Sequence, residues 1–86
     1  MGIFRKGEPV DANQIEPRYK IHITTEDGES LYWHKRGKLH IVDEDVARAF
    51  VANFKPELFQ VTAEGSFQPP SPGVTRPIKR VDMEPV

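Results

Sequence analysis

Eighty-six residues with 12 basic and 13 acidic side chains and no cysteine leave room for one domain. They exclude thiol chemistry, disulfide staples and cysteine-based zinc sites. A net charge of -1 is not the footprint of a dedicated polyanion binder, and no apolar run reaches membrane-spanning length.

Seven of the eight prolines fall in residues 1–17 or 68–86. This divides the chain into a flexible N-terminal arm (1–17), a folded β-β-β-α-β domain (18–67) and a Pro-rich flexible C-terminal tail (68–86). A core of that size buries only roughly 60% of its unfolded surface and is marginally stable. The arm mixes Gly, Pro, Asp, Asn and Glu without periodicity; Ile3 and Phe4 could dock on the core, but a frayed terminus is the expected state. It lacks the apolar stretch of a signal peptide. Lys6 stands where a myristoylation signal wants Ser or Thr. The expected location is cytoplasmic.

Residues 18–42 carry three short runs, RYKIHITT, SLYWH and KLHIV, rich in β-branched and aromatic residues. Glu26-Asp27-Gly28 separates the first pair and Lys35-Arg36-Gly37 the second. Both put glycine third, as a three-residue hairpin loop requires. These loops set Thr25 opposite Glu29, Ile23 opposite Leu31 and Ile21 opposite Trp33. They then set His34 opposite Lys38, Trp33 opposite Leu39 and Leu31 opposite Ile41. A two-residue Asp27-Gly28 turn would scatter the apolar residues over both faces. The reading is a three-stranded antiparallel meander. Its inner face is Tyr19, Ile21, Ile23, Leu31, Trp33, Leu39 and Ile41. Its outer face is Lys20, His22, Thr24, Ser30, Tyr32, His34, Lys38, His40 and Val42.

A helix follows. Asp43 is its N-cap, with Glu44 and Asp45 at the positive end of the dipole. Val46, Ala49, Phe50, Asn53 and Phe54 recur at helical spacing, and Pro56 ends the helix. The Phe50 and Phe54 stripe suits the inner face of the sheet. Residues 58–63 alternate weakly, which admits a short fourth strand at an edge. From Gly65 onward, QPPSPG reads as extended or disordered. The fold class is α+β.

The outer face supplies the candidate site. One row is His22, Tyr32 and His40, the next is Lys20, His34 and Lys38, and Lys35 and Arg36 sit at the adjacent loop tip. A metal site is a poor fit: His22 and His40 lie two strand spacings apart, about 10 Å, and no carboxylate joins them. Metal-free ribonuclease chemistry has its acid, base and cations here, but on an open sheet with no cleft. No phosphate-loop, nucleophile-elbow or dinucleotide motif occurs.

Nucleic-acid binding is the alternative partner reading, with Tyr32 stacking and Lys20, Lys38 and Arg36 on phosphates. The meander-plus-helix order over 18–54 resembles, in topology alone, the three-stranded DNA readers of tyrosine-recombinase arm-binding domains. The acidic helix start and the neutral balance oppose tight DNA binding. The leading reading is a non-catalytic module, a regulator or accessory protein, that contacts a protein partner through the outer sheet face and the tail. It needs no cofactor or metal, and monomer and homodimer stay open. Three histidines in one patch imply binding to an acidic partner that tightens as pH falls through about 6.5.

Overall fold

β1 (Arg18–Thr25) is the strand around which the rest is arranged. The computed structural model describes residues 18–86; the arm expected over 1–17 lies outside the described residues. Along β1, Ile21, Ile23 and Thr25 are fully buried, with the period of two that a strand with one packed face demands. Glu26-Asp27-Gly28 closes the expected three-residue loop. Gly28 N–H donates to the Thr25 carbonyl at 3.0 Å, Thr25 N–H donates to that of Glu29 at 2.9 Å, and Gly28 takes φ 92°. β2 (Ser30–Tyr32) pairs with Ile23 opposite Leu31 and His22 opposite Tyr32, as the loop length requires.

The second bend departs from expectation. β3 (His34–Lys35) and β4 (Lys38–Leu39) set His34 opposite Leu39 and Lys35 opposite Lys38. The loop is therefore two residues, Arg36-Gly37, at φ 53° and 78°. Positive φ at both central positions is type I′ geometry, whose twist matches that of the flanking strands. Here that match outweighs the cost of a left-handed arginine. β5 (Ile41–Asp43) then rejoins β1 with Val42 opposite Tyr19 and Ile41 opposite Lys20. Val42 is buried, Ile41 lies in the Lys20 row and Leu39 is exposed. The three-residue loop had put Leu39 and Ile41 inside and Val42 outside; a one-residue slip moves each to the other face.

Asp43 caps α1 (Glu44–Asn53) as expected, its carboxylate accepting from Val46 N–H at 3.0 Å. The backbone turns extended at Phe54, just ahead of Lys55-Pro56. α1 buries Ala47 completely and packs Phe50, Val51 and Phe54 against the sheet. The core is Ile21, Ile23, Val42, Ala47, Val61, Ile78 and Val81.

The fourth strand does form, as β6 (Gln60–Thr62), but it builds a separate small sheet with β7 (Phe67–Gln68) and β8 (Thr75–Arg76). β9 (Ile78–Pro85) then runs antiparallel along the whole of β1, from Ile78 opposite Thr25 to Pro85 opposite Tyr19. Ile78 and Val81 are 3% and 6% exposed. The tail expected to be flexible over 68–86 is thus structured, and it converts the meander into a four-stranded sheet with β1 inside it. A register shift between Ile78 and Arg80 explains the missed signal. The bulge ejects Lys79 and spaces the inward residues Ile78 and Val81 three apart, which breaks the alternation that marks a strand. The architecture is α+β, one helix with antiparallel strands. No helix among the described residues is long and apolar enough to cross a membrane.

Candidate functional site

β1 places Lys20 and His22 on the face away from the core, and β2 sets Tyr32 beside them. The His22 and Tyr32 rings lie 5.2 Å apart, and Lys20 Nζ stands 4.7 Å over the Tyr32 ring. β9 adds what sequence reasoning left out. Glu84 lies opposite Lys20 and Asp82 opposite His22. Glu84 accepts from the Tyr32 hydroxyl at 2.8 Å and lies 3.6 Å from His22 Nδ1. Arg80 Nε donates to Asp82 at 3.2 Å. His22 Nε2 meets Ser30 Oγ at 2.5 Å. The hydrogen bond to Glu84 holds the Tyr32 proton and pushes its pKa up; partial desolvation and the carboxylate charge act in the same sense. The row of Lys20, His22 and Tyr32 is therefore a mixed-charge surface.

The other candidate residues lie elsewhere. Lys35, Arg36 and Lys38 are exposed at the β3–β4 tip. His34 is tied into the body of the domain. Its N–H donates to the Gly65 carbonyl at 2.9 Å, and its Nδ1 lies 2.7 Å from the Tyr32 carbonyl. Gly65 is required for that approach: at φ 90°, a Cβ there would stand 2.1 Å from the Tyr32 oxygen. His40 packs on Trp33, ring centroids 4.6 Å apart. Desolvation pushes its pKa down, and the Lys35 charge adds to the shift. The three histidines expected in one patch thus occupy three environments. The shorter second loop moves His40, which follows it, away from the His22 row, while His34, which precedes it, is held by its bonds to the Gly65 and Tyr32 backbone.

A second feature lies on the core side. Trp33 and Phe50 stack at 4.7 Å with planes 24° apart. Phe67 comes within 5.2 Å of Trp33, 5.4 Å of Phe50 and 5.3 Å of Phe54. α1 supplies Phe50, and Phe54 at its C-cap packs beside it with ring centroids 5.5 Å apart. A turn closed by Leu58 N–H on the Lys55 carbonyl at 3.0 Å brings Leu58 and Phe59 to the opposite lip. Together they enclose an open cavity of about 360 Å³, to which Asn53 and Lys55 also contribute. Leu58 is 54% and Phe59 41% exposed. The Asn53 amide is occupied, donating to the Ala49 carbonyl at 2.8 Å. The wall is almost wholly hydrocarbon, with Lys55 at its lining and Lys35 Nζ 5.1 Å over the Trp33 ring.

Sequence reasoning assigned Trp33, Phe50 and Phe54 to the core and overlooked that their packing stays open on one side. A signal was present: four of the five phenylalanines fall within residues 50–67, more ring surface than one short helix and a three-residue strand can cover. Among the described residues, no group of three or more histidine, aspartate or glutamate side chains is placed to hold a metal ion. No family model matches this chain, and no curated protein or solved structure shows significant similarity to it.

Proposed function

We propose that this domain is a non-catalytic protein-binding module, and that its contact site is the aromatic groove at the C-terminal end of α1. The occupant is a partner segment with one large apolar side chain flanked by carboxylates. The observation that carries this reading is the open cavity of about 360 Å³ with Leu58 and Phe59 exposed at its lip. A cleft of that size admits one or two side chains. Covering its lip removes apolar surface from water at about 25 cal/mol per Å². Lys35 and Lys55 give the flanks a positive field, which favours acidic residues beside the anchor.

The outer sheet face, first in line from sequence alone, supports binding less well. Glu84 lies opposite Lys20 and Asp82 pairs with Arg80 on that face, and the same carboxylates oppose the nucleic-acid alternative.

Phage display of random peptides of about 12 residues on the full chain tests the reading. The selected peptides are expected to share an aliphatic or aromatic anchor next to Asp or Glu. Their affinity is expected to fall at least about tenfold in Phe59→Asp, with circular dichroism checking that the fold is retained. Selected peptides that lack an apolar anchor, or that bind Phe59→Asp and Leu58→Asp at full strength, would overturn the groove as the contact site.

A further inference from the structure

β9 ends the four-stranded sheet, and among the described residues no strand pairs with its outer side. The groups it offers there follow from one bond. Val86 N–H donates to the Arg18 carbonyl at 3.0 Å, so that pair is hydrogen-bonded. Antiparallel ladders alternate. Residues 84, 82 and 80 therefore turn their N–H and C=O groups toward β1, while Val81, Met83 and Pro85 turn theirs away. The far side of β1 has the complementary parity: Trp33 N–H donates to Ile21, and Thr25 N–H to Glu29. Pro85 occupies an outward position, where its missing N–H removes no ladder bond. The Lys79 bulge lies at the other end. Bulge and proline are devices that block long edge pairing, but between them residues 80–84 remain a regular strand with Val81 and Met83 unpaired on the outward side.

The side chains of that run are asymmetric in charge. Arg80, Asp82 and Glu84 share the outer face. Consider a two-fold axis that brings a second β9 alongside, antiparallel, with outward groups facing outward groups. Centred on Arg80, it opposes the two arginines. Centred on Asp82, it sets Arg80 against Glu84 twice but opposes the two aspartates at the axis, a like-charge contact that the Val81-centred register avoids. Centred on Met83, it sets Asp82 against Glu84 twice and brings Pro85 into the ladder. Centred on Val81, it sets Arg80 against Asp82 of the second copy, twice, with reciprocal bonds between the two Val81 backbones. Opposite charges directly across a strand pair stabilise it and like charges destabilise it.

We propose that two copies of this chain pair through β9 in the Val81-centred register, which joins their sheets into one continuous sheet. The interface is isologous, as two-fold symmetry requires. It is also short, which places it among weak, transient associations. Arg80 and Asp82 already meet within one strand; in the dimer each gains a second partner. This surface is separate from the aromatic groove, so either assignment stands or falls without the other.

Sedimentation equilibrium of the full chain at about 10 μM to 1 mM tests it. The expected mass rises from 9.8 kDa toward twice that value across the range. Arg80→Asp and Asp82→Arg each place like charges opposite each other twice, and each is expected to raise the dimer Kd at least about tenfold. The double swap R80D/D82R restores the opposition and is expected to return Kd to within about threefold of the parent. Both side chains are about half exposed, so circular dichroism should be unchanged in all three variants. A monomer at every concentration, a Kd unmoved by the single reversals, or a Kd not restored by the swap would each overturn the proposal.

Discussion

Burial against Trp33 makes the neutral imidazole the favoured form of His40, and the ammonium of Lys35 reinforces that preference. The folded pKa therefore lies below the unfolded value of about 6.5. Between the two values the unfolded chain binds more protons, so stability rises with pH across that window. The contribution is complete above about 6.5 and is lost as pH falls toward the folded value. Chemical denaturation at pH 7.5 and pH 5.5 checks this. The wild type is expected to lose more stability on acidification than His40→Gln, in which the titrating ring is gone. Equal losses in the two proteins would mean that His40 is solvated. The three histidines do not share one patch, because His34 is tied to the Gly65 and Tyr32 backbone and His40 packs on an indole.

At the level of elements, β9 decides how much core this chain has. Without it, β1 would have neighbours on one side only, and Ile21 and Ile23 would lose Met83 and Val81 from across the strand pair. Its contribution can be read from adjacent residues of opposite burial. Ile78→Ala removes a side chain that is 3% exposed and is expected to cost about 2–5 kcal/mol. Lys79→Ala changes the exposed bulge residue and is expected to stay within about 0.5 kcal/mol. Urea unfolding measures both. Near-equal, small effects would return residues 68–86 to the status of a loose tail. The same strand supplies Glu84 and Asp82 to the outer face, so the element that completes the core also sets the charge of the opposite surface.

For the molecule as a whole, the two faces divide their tasks. One side of the sheet carries paired charges: Lys20 near Tyr32 and Glu84, and Arg80 with Asp82. The other side leads to an aromatic groove with cations beside it. On the outer face Lys20 and Arg80 stand beside Glu84 and Asp82, and affinity for nucleic acid scales with the number of phosphates neutralised. Fluorescence anisotropy with single- and double-stranded oligonucleotides at about 0.1 M salt is accordingly expected to show no binding tighter than the non-specific range, about 0.1 mM to 1 μM. A nanomolar complex that weakens steeply with salt would favour the nucleic-acid alternative instead.

Local chemistry carried much of this architecture. Gly28 in third place after Glu26-Asp27 was enough to pair Ile23 with Leu31, because loop length and glycine position fix hairpin register. Asp43, the Phe50 and Phe54 spacing and Pro56 bounded the helix, since caps and breakers act within a turn or two. Tyr32 and Trp33 were sorted correctly to opposite faces by strand alternation alone. The second bend was not legible, because Lys35-Arg36-Gly37 satisfies either loop length and only the strand twist selects the shorter one. β9 was not legible because its inward residues are spaced by a bulge, and its partner lies more than fifty residues away in the chain. The groove was hidden for a related reason: composition marks residues as apolar, but whether a ring is covered depends on what the finished fold brings against it. Short-range backbone preferences were written in the sequence of this protein. The tertiary structure alone decided which strands met across the sheet, which charges faced each other, and which aromatic surface stayed open.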